Sequence, residues 1–170
     1  ISCKSDIFNV VASATEETNC LVGICGTGVV VYSISRDTTK RFGGWGYLLD
    51  NGGSGFDIGR DVLRAALSER ETGITQSRIT ELCEAKLGGN IYNKYTDIYT
   101  KDISFVASFA PIAFEAYKLG DKRAIEIIES NVCRFSEYIN TAHKEFKNCN
   151  TIVISGSIIT KNDIYLKLLK

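Results

Sequence analysis

One carboxylate, two short turns that combine glycine with hydroxyl side chains and a glycine-rich loop around the only tryptophan are the groups in this chain whose types and spacing can do chemistry. Asp6 stands ahead of Ile7, Val10, Val11 and Ala14, apolar positions that recur at helical spacing. There its carboxylate either caps a short helix by accepting a backbone N–H or serves as a general base on a substrate hydroxyl within about 3 Å, and both readings stay open. Gly26-Thr27-Gly28 joins two apolar, β-branched runs. Glycine at those positions either supplies the positive φ of a hairpin turn or lets backbone N–H groups approach phosphate oxygens, with the Thr27 hydroxyl as a further donor. Ser155-Gly156-Ser157 falls between a strand-like and a helix-like run, where a turn either simply connects or holds a nucleotide's base or phosphates.

The stretch from Gly43 to Gly55 carries six glycines, more than a plain connection needs, and Gly43, Gly44 and Gly46 surround Trp45. Small neighbours let a ligand approach the backbone and one face of the indole, which suits the apolar face of a sugar ring. Asp50 and Asn51 are then placed to hydrogen-bond its hydroxyls. His143 and the charges Lys122, Arg123, Lys144 and Lys147 read instead as the solvated face of a long helix. The six cysteines (Cys3, Cys20, Cys25, Cys83, Cys133, Cys149) never form a C-x-x-C pair and share the chain with one histidine, so no metal site is expected.

The elements that must position these groups follow from periodicity. A short helix is expected from Asp6, then a strand–turn–strand hairpin over Cys20 to Ser35. Residues 39 to 53 read as irregular. From Ser54, which with Asp57 approaches a capping box, a helix runs to about Gly73. Another covers Thr75 to Leu87 and stops at Gly88-Gly89. Residues 90 to 102, polar and tyrosine-rich, give no firm assignment. Helices over Ser104 to Leu119, kinked or restarted at Pro111, and over Lys122 to Phe146 come next, followed by a strand at Ile152 to Ile154 and one closing helix. This order predicts a single α/β domain.

Twenty basic and twenty acidic residues leave no overall field to gather nucleic acid or an anionic membrane. No apolar run approaches the length of a membrane span and no signal peptide opens the chain, so the expectation is a cytoplasmic protein. The chain contains no methionine, which implies a processed start or a piece of a longer protein.

Taken in order, Asp6, Gly26-Thr27-Gly28, Gly43-Gly44-Trp45-Gly46, Asp50 to Gly55, Phe105 to Asp121 and Ser155-Gly156-Ser157 resemble the N-acetylglucosamine kinase branch of the BadF/BadG-type ATPase family, within the sugar kinase and actin superfamily. The resemblance covers essentially the whole chain and is most specific in the Gly-Gly-Trp-Gly loop. It implies a ribonuclease H-like, actin-like ATPase lobe with a mixed sheet flanked by helices. It further implies that residues 1–170 are the C-terminal lobe of a two-lobed sugar kinase using ATP and Mg2+, with room for a homodimer. Asp6 matches the family's base, which takes the proton of the sugar's 6-hydroxyl as it attacks the γ-phosphate. Gly26, Thr27 and Gly28 match a phosphate-binding turn; Gly44, Trp45 and Gly46 match the sugar loop; Ala107, Gly156 and Ser157 match nucleotide contacts.

Two departures stand out. The family's Gly-Asp-Glu-Gly-Ser reads here Asp50-Asn51-Gly52-Gly53-Ser54, so Asp50 takes the sugar-binding aspartate's place if a gap falls within the loop and Asn51 does if none falls. The family's first phosphate-binding motif, a hairpin with an aspartate for magnesium, is missing from this chain. The 170 residues alone are therefore expected to turn over negligibly. Rival readings are an ATPase that activates a 2-hydroxyacyl-CoA dehydratase through an iron–sulfur cluster, and a non-catalytic sugar or nucleotide sensor.

Overall fold

The computed structural model describes residues 19–36, 38–73, 77–147 and 149–170. The helix expected from Asp6 lies outside them. The two apolar runs form β1 (Cys20–Cys25) and β2 (Val29–Ile34), which pair antiparallel with Cys25 opposite Val29 across residues 26–28. β4 (Ile152–Ser155) adds to the other side of β1 in parallel. β1 is thus an inner strand, which is why nearly every residue of Cys-Leu-Val-Gly-Ile-Cys is buried.

One strand escaped the sequence reading. Thr39–Gly43, taken as irregular, is β3, paired antiparallel with β2 at the sheet's edge in the order β3-β2-β1-β4. Its Thr39, Lys40 and Arg41 are exposed, and charged residues are what edge strands use to block further pairing, so no apolar alternation marks it. The result is a mixed four-stranded sheet among the described residues, with helices against it.

α1 (Gly55–Thr72) starts as expected: Ser54 accepts from the Asp57 N–H, Asp57 accepts from the Ser54 N–H, and Gly73 ends the helix in the left-handed conformation. α2 (Arg78–Leu87) begins behind a Ser77 cap, later than Thr75, which is outside the described residues. The unassigned segment is α3 (Ile91–Thr100), capped by Asn90; it buries only Ile91, so it lacks the apolar stripe that reveals a helix. The region read as one helix over Ser104 to Leu119 is α4 (Ile103–Ala107) followed by α5 (Ala110–Lys118), with Pro111 in the first turn of α5. Proline there forgoes an N–H that would be unpaired anyway, so the chain restarts instead of kinking. α6 (Lys122–Glu145) agrees with its expectation, whereas the closing helix divides into α7 (Ser157–Thr160) and α8 (Asp163–Leu169).

α1 packs against α2, α4 and α5, while α6 lies across β1, β2 and β3. The seat of α6 is Phe135, whose ring rests so close to Gly23 that a Cβ there would stand 2.9 Å from Phe135 Cζ. Phe135 is fully buried, and truncating such a phenylalanine to alanine costs about 3–5 kcal/mol.

Candidate active site

Three glycine-rich turns converge where β1 ends. The Gly55 N–H donates to Gly26 O at 2.7 Å and the Phe56 N–H to Thr27 O at 3.1 Å, which fastens the start of α1 to the hairpin turn. From the other side, Gly156 presses on β1: with φ +108°, it would place a Cβ 2.2 Å from Cys25 O. Ser157 Oγ is 3.7 Å from the position of a Cβ on Gly26. One turn into α1, a Cβ on Gly59 would lie 2.0 Å from Val106 O and 3.4 Å from Ala107 Cα. Gly26, Thr27, Gly28, Gly156 and Ser157 are therefore gathered at the sheet's end, with Ala107 beside the first turns of α1.

The hairpin glycines correct one expectation. Neither Gly26 nor Gly28 has a positive φ, so turn conformation does not require them. A Cβ on Gly28 would meet no heavy atom within 4 Å, and Thr27 and Gly28 are exposed. Backbone conformation and packing leave glycine at position 28 without a structural need.

The tryptophan loop shows the reverse. Gly43, Gly44, Gly46, Gly52 and Gly53 all have positive φ, so the glycine content that looked surplus is first a conformational requirement. The loop runs beside the start of β2, since a Cβ on Gly44 would stand 2.8 Å from Val30 Cγ2. Asp50 closes it, accepting the Trp45 N–H at 3.1 Å and the Gly46 N–H at 3.0 Å. Trp45 remains 59% exposed, with the Arg41 guanidinium 3.6 Å from its ring centroid in a cation–π contact. Asn51 donates its Nδ2 to the Glu137 carboxylate at 2.9 Å and its backbone N–H to the Tyr138 hydroxyl at 2.5 Å. Arg41, Trp45, Asn51, Arg134, Glu137 and Tyr138 line a hollow of about 360 Å³. Asp50 shapes the loop; Asn51 faces this hollow.

Sequence reasoning missed Arg134, Glu137 and Tyr138 because α6 reads only as an amphipathic helix, and nothing local says which loop its polar face will meet. It also missed a second hollow of about 470 Å³, between α1, α3 and α4, lined by Tyr47, Phe56, Arg60, Tyr95 and Tyr99 among others. Of the glycine-rich segments only the tryptophan loop reaches it, through Tyr47. Asp6 lies outside the described residues.

Burial governs the titratable groups here. Asp57, 3% exposed, is compensated by the Ser54 N–H and hydroxyl and by Arg60 at 3.0 Å. Burial pushes the Cys25 thiol up to about 12, and it donates to Gly53 O at 3.1 Å; burial also raises Cys83 to about 12. Thiols held protonated are poor nucleophiles, whereas Cys133 is exposed. Iodoacetamide at pH 8 is therefore expected to modify Cys133 well before Cys25 and Cys83 in the folded protein, and all three alike in denaturant, as read by peptide mass spectrometry. Equal labelling in the folded state would contradict this burial. Because both folded-state thiols titrate above their ordinary 9.0, the stability they contribute is present below pH 9 and is lost as pH rises toward about 12. Among the described residues, no group of three or more His, Cys, Asp or Glu side chains could hold a metal ion. No described helix is long and apolar enough to cross a membrane.

A family model described as the BadF/BadG/BcrA/BcrD ATPase family matches residues 1–170. The chain is 34% identical over 131 residues to an N-acetyl-D-glucosamine kinase of Dictyostelium discoideum, covering 74% of this chain and 41% of that protein. It is 29% identical over 124 residues to an N-acetylmuramic acid/N-acetylglucosamine kinase of Clostridium acetobutylicum, covering 69% and 40%. The chain thus spans about two fifths of the length of these curated relatives. Among solved structures, a protein of Chromobacterium violaceum assigned as an N-acetylglucosamine kinase superposes with a TM-score of 0.79 at 15% identity, over 96% of this chain and 55% of that one. One of Porphyromonas gingivalis, assigned likewise, gives a TM-score of 0.60 at 15% identity, over 90% and 60%. At that identity the likeness speaks for the fold alone, the mixed sheet with flanking helices of the actin-like ATPase fold.

Proposed function

Since the chain belongs to the BadF/BadG/BcrA/BcrD ATPase family, we propose that it is the C-terminal lobe of a kinase that transfers the γ-phosphoryl group of ATP to the 6-hydroxyl of an amino sugar, N-acetylglucosamine. The observation that carries this reading is the bare backbone of Gly28, which conformation and packing do not require, at the meeting of three glycine-rich turns. The Gly26 N–H closes the turn on Gly28 O at 2.9 Å, which leaves the backbone N–H groups of Thr27 and Gly28 and the Thr27 hydroxyl to face phosphate oxygens, while Gly156, Ser157 and Ala107 border the nucleoside side. Gly44, Trp45 and Gly46 present the sugar loop, with Asn51 in the sugar-binding aspartate's place because Asp50 is committed to the loop's own N–H groups. Asp6 accepts the proton of the attacking hydroxyl.

Phosphoryl transfer asks a protein chiefly to position the two reactants and stabilise charge, and a Gly-rich turn beside a sugar-facing loop does the first. Mg2+ accompanies ATP and screens its phosphates. The cytoplasm, where ATP is available, is the compartment this reading implies. The rival activator reading is not favoured: Cys25, the cysteine nearest a Gly-rich turn, is buried and hydrogen-bonded inside the fold.

The test is ADP release by the full-length protein with ATP, Mg2+ and a panel of hexoses and amino sugars. Fastest turnover is expected with N-acetylglucosamine; binding of sugar without any ADP release would favour the sensor. Within that assay, Gly28→Ala is expected to leave the melting temperature unchanged while raising the KM for ATP about tenfold, or ~1.4 kcal/mol. An unchanged KM would remove the phosphate role of this turn.

A further inference from the structure

The two peptide groups that flank Gly53, where the sugar loop joins α1, are each held by buried side chains. The Gly53 N–H donates to Asn131 Oδ1 at 3.1 Å. Gly53 O accepts from the Tyr165 hydroxyl at 2.8 Å and from Cys25 Sγ at 3.1 Å. The Tyr165 hydroxyl also lies 3.1 Å from Asn131 O, and Asn131 Nδ2 donates to Asp61 Oδ2 at 3.0 Å and Ile127 O at 2.9 Å. Asn131, Tyr165 and Cys25 are all 0% exposed, so water cannot replace any of these partners. They come from α6, α8 and β1, standing 78, 112 and 28 residues from Gly53.

An amide in the middle of a buried helix face carries a desolvation cost that an apolar residue would avoid, and it is tolerated when every polar atom is partnered. Here both ends of the Asn131 amide are used, one on the Gly53 peptide and the other on Asp61. Gly53 itself has φ +97° and no space for a side chain, since a Cβ would stand 3.0 Å from Asn131 O, Phe135 N and Phe135 Cβ. The backbone geometry at Gly53 is over-determined. Two residues before it is Asn51; α8, which bears Tyr165, follows the Ser155-Gly156-Ser157 turn after the short α7.

Resting on the sugar-kinase reading, we propose that Asn131 and Tyr165 are positioning residues that clamp the Gly53 backbone from either side and so set how residues 44–51 are presented to the sugar. Neither touches substrate; both act through the loop. Removing the Tyr165 hydroxyl leaves Cys25 still donating to Gly53 O, so the fold survives while the loop loosens.

The experiment uses the full-length protein with Tyr165→Phe, and Asn131→Ala in parallel should one variant fail to fold. The KM for N-acetylglucosamine is expected to rise about 3- to 10-fold in Tyr165→Phe, the fold-change of one lost net hydrogen bond, with the KM for ATP within twofold. Hydrogen–deuterium exchange of the ligand-free protein provides a readout that needs no activity: exchange over residues 44–56 should quicken while residues 20–34 stay as in the wild type. A lower melting temperature with both KM values and the loop's exchange unchanged would reduce the pair to ordinary core residues and overturn the proposal. So would faster loop exchange with an unaltered sugar KM. Should the wild-type protein phosphorylate no sugar, the kinase reading falls, and the exchange of residues 44–56 alone upholds or overturns the clamp.

Discussion

Asp6→Asn in the full-length protein is expected to lower kcat by about 10²- to 10⁴-fold while leaving sugar binding near the wild type. Asparagine keeps the size of aspartate and can still hydrogen-bond a substrate hydroxyl, but it cannot take that hydroxyl's proton. Residual turnover is expected, because positioning and charge stabilisation supply most of phosphoryl-transfer catalysis and remain intact. The substitution also separates the two readings of Asp6. Asparagine and aspartate are about equally good N-caps, so a residue that only caps a helix would tolerate the change in both stability and rate. Steady-state ADP release together with calorimetric sugar binding measures the two quantities, and a kcat close to wild type would leave Asp6 as a cap alone.

The second large effect concerns stability. Gly156→Ala would add a side chain at φ +108°, with its Cβ 2.2 Å from Cys25 O, 2.5 Å from Cys25 C and 2.7 Å from Cys25 N. All three obstacles are backbone atoms of β1, which is pinned between β2 and β4 and cannot step aside. Left-handed strain and overpacking each cost on the order of 1–3 kcal/mol, so a loss of about 4 kcal/mol or more is expected. A domain's whole stability is about 5–15 kcal/mol, so the variant should be poorly soluble or melt far below the wild type. A melting temperature equal to the wild type would mean that the Gly156 turn does not press on β1. Gly28→Ala provides the internal control: the same chemical change, two turns apart in one site, with open space around it and no fold penalty.

The contrast between those two glycines shows how far a sequence reading reaches. Both sit in short Gly-Ser/Thr turns, and by residue type they are interchangeable. One is needed because a neighbouring strand leaves no room; the other is not needed by the fold at all. Hairpin β1–β2, α1 with its Ser54–Asp57 box, and α6 were legible because their signals act over a few residues: β-branched runs around a turn, a reciprocal cap, an apolar stripe. The edge strand β3 and the helix α3 were not, since neither buries enough side chain to leave a period behind. In the loop, sequence left Asp50 and Asn51 as equal candidates. Only the hydrogen bonds of Asp50 to Trp45 and Gly46 distinguish the residue that shapes the loop from the one beside the hollow.

By itself, then, the sequence determined the family, the α/β class and which short clusters are candidates for chemistry, because those are properties of residue type and of spacing within one turn or one strand. The tertiary structure alone decided that the three glycine turns share one end of the sheet, that position 28 is bare for no structural reason, and that Gly53 is gripped by Asn131, Tyr165 and Cys25. Those facts depend on atoms as many as 112 residues apart reaching hydrogen-bond distance, which local spacing does not encode and packing does.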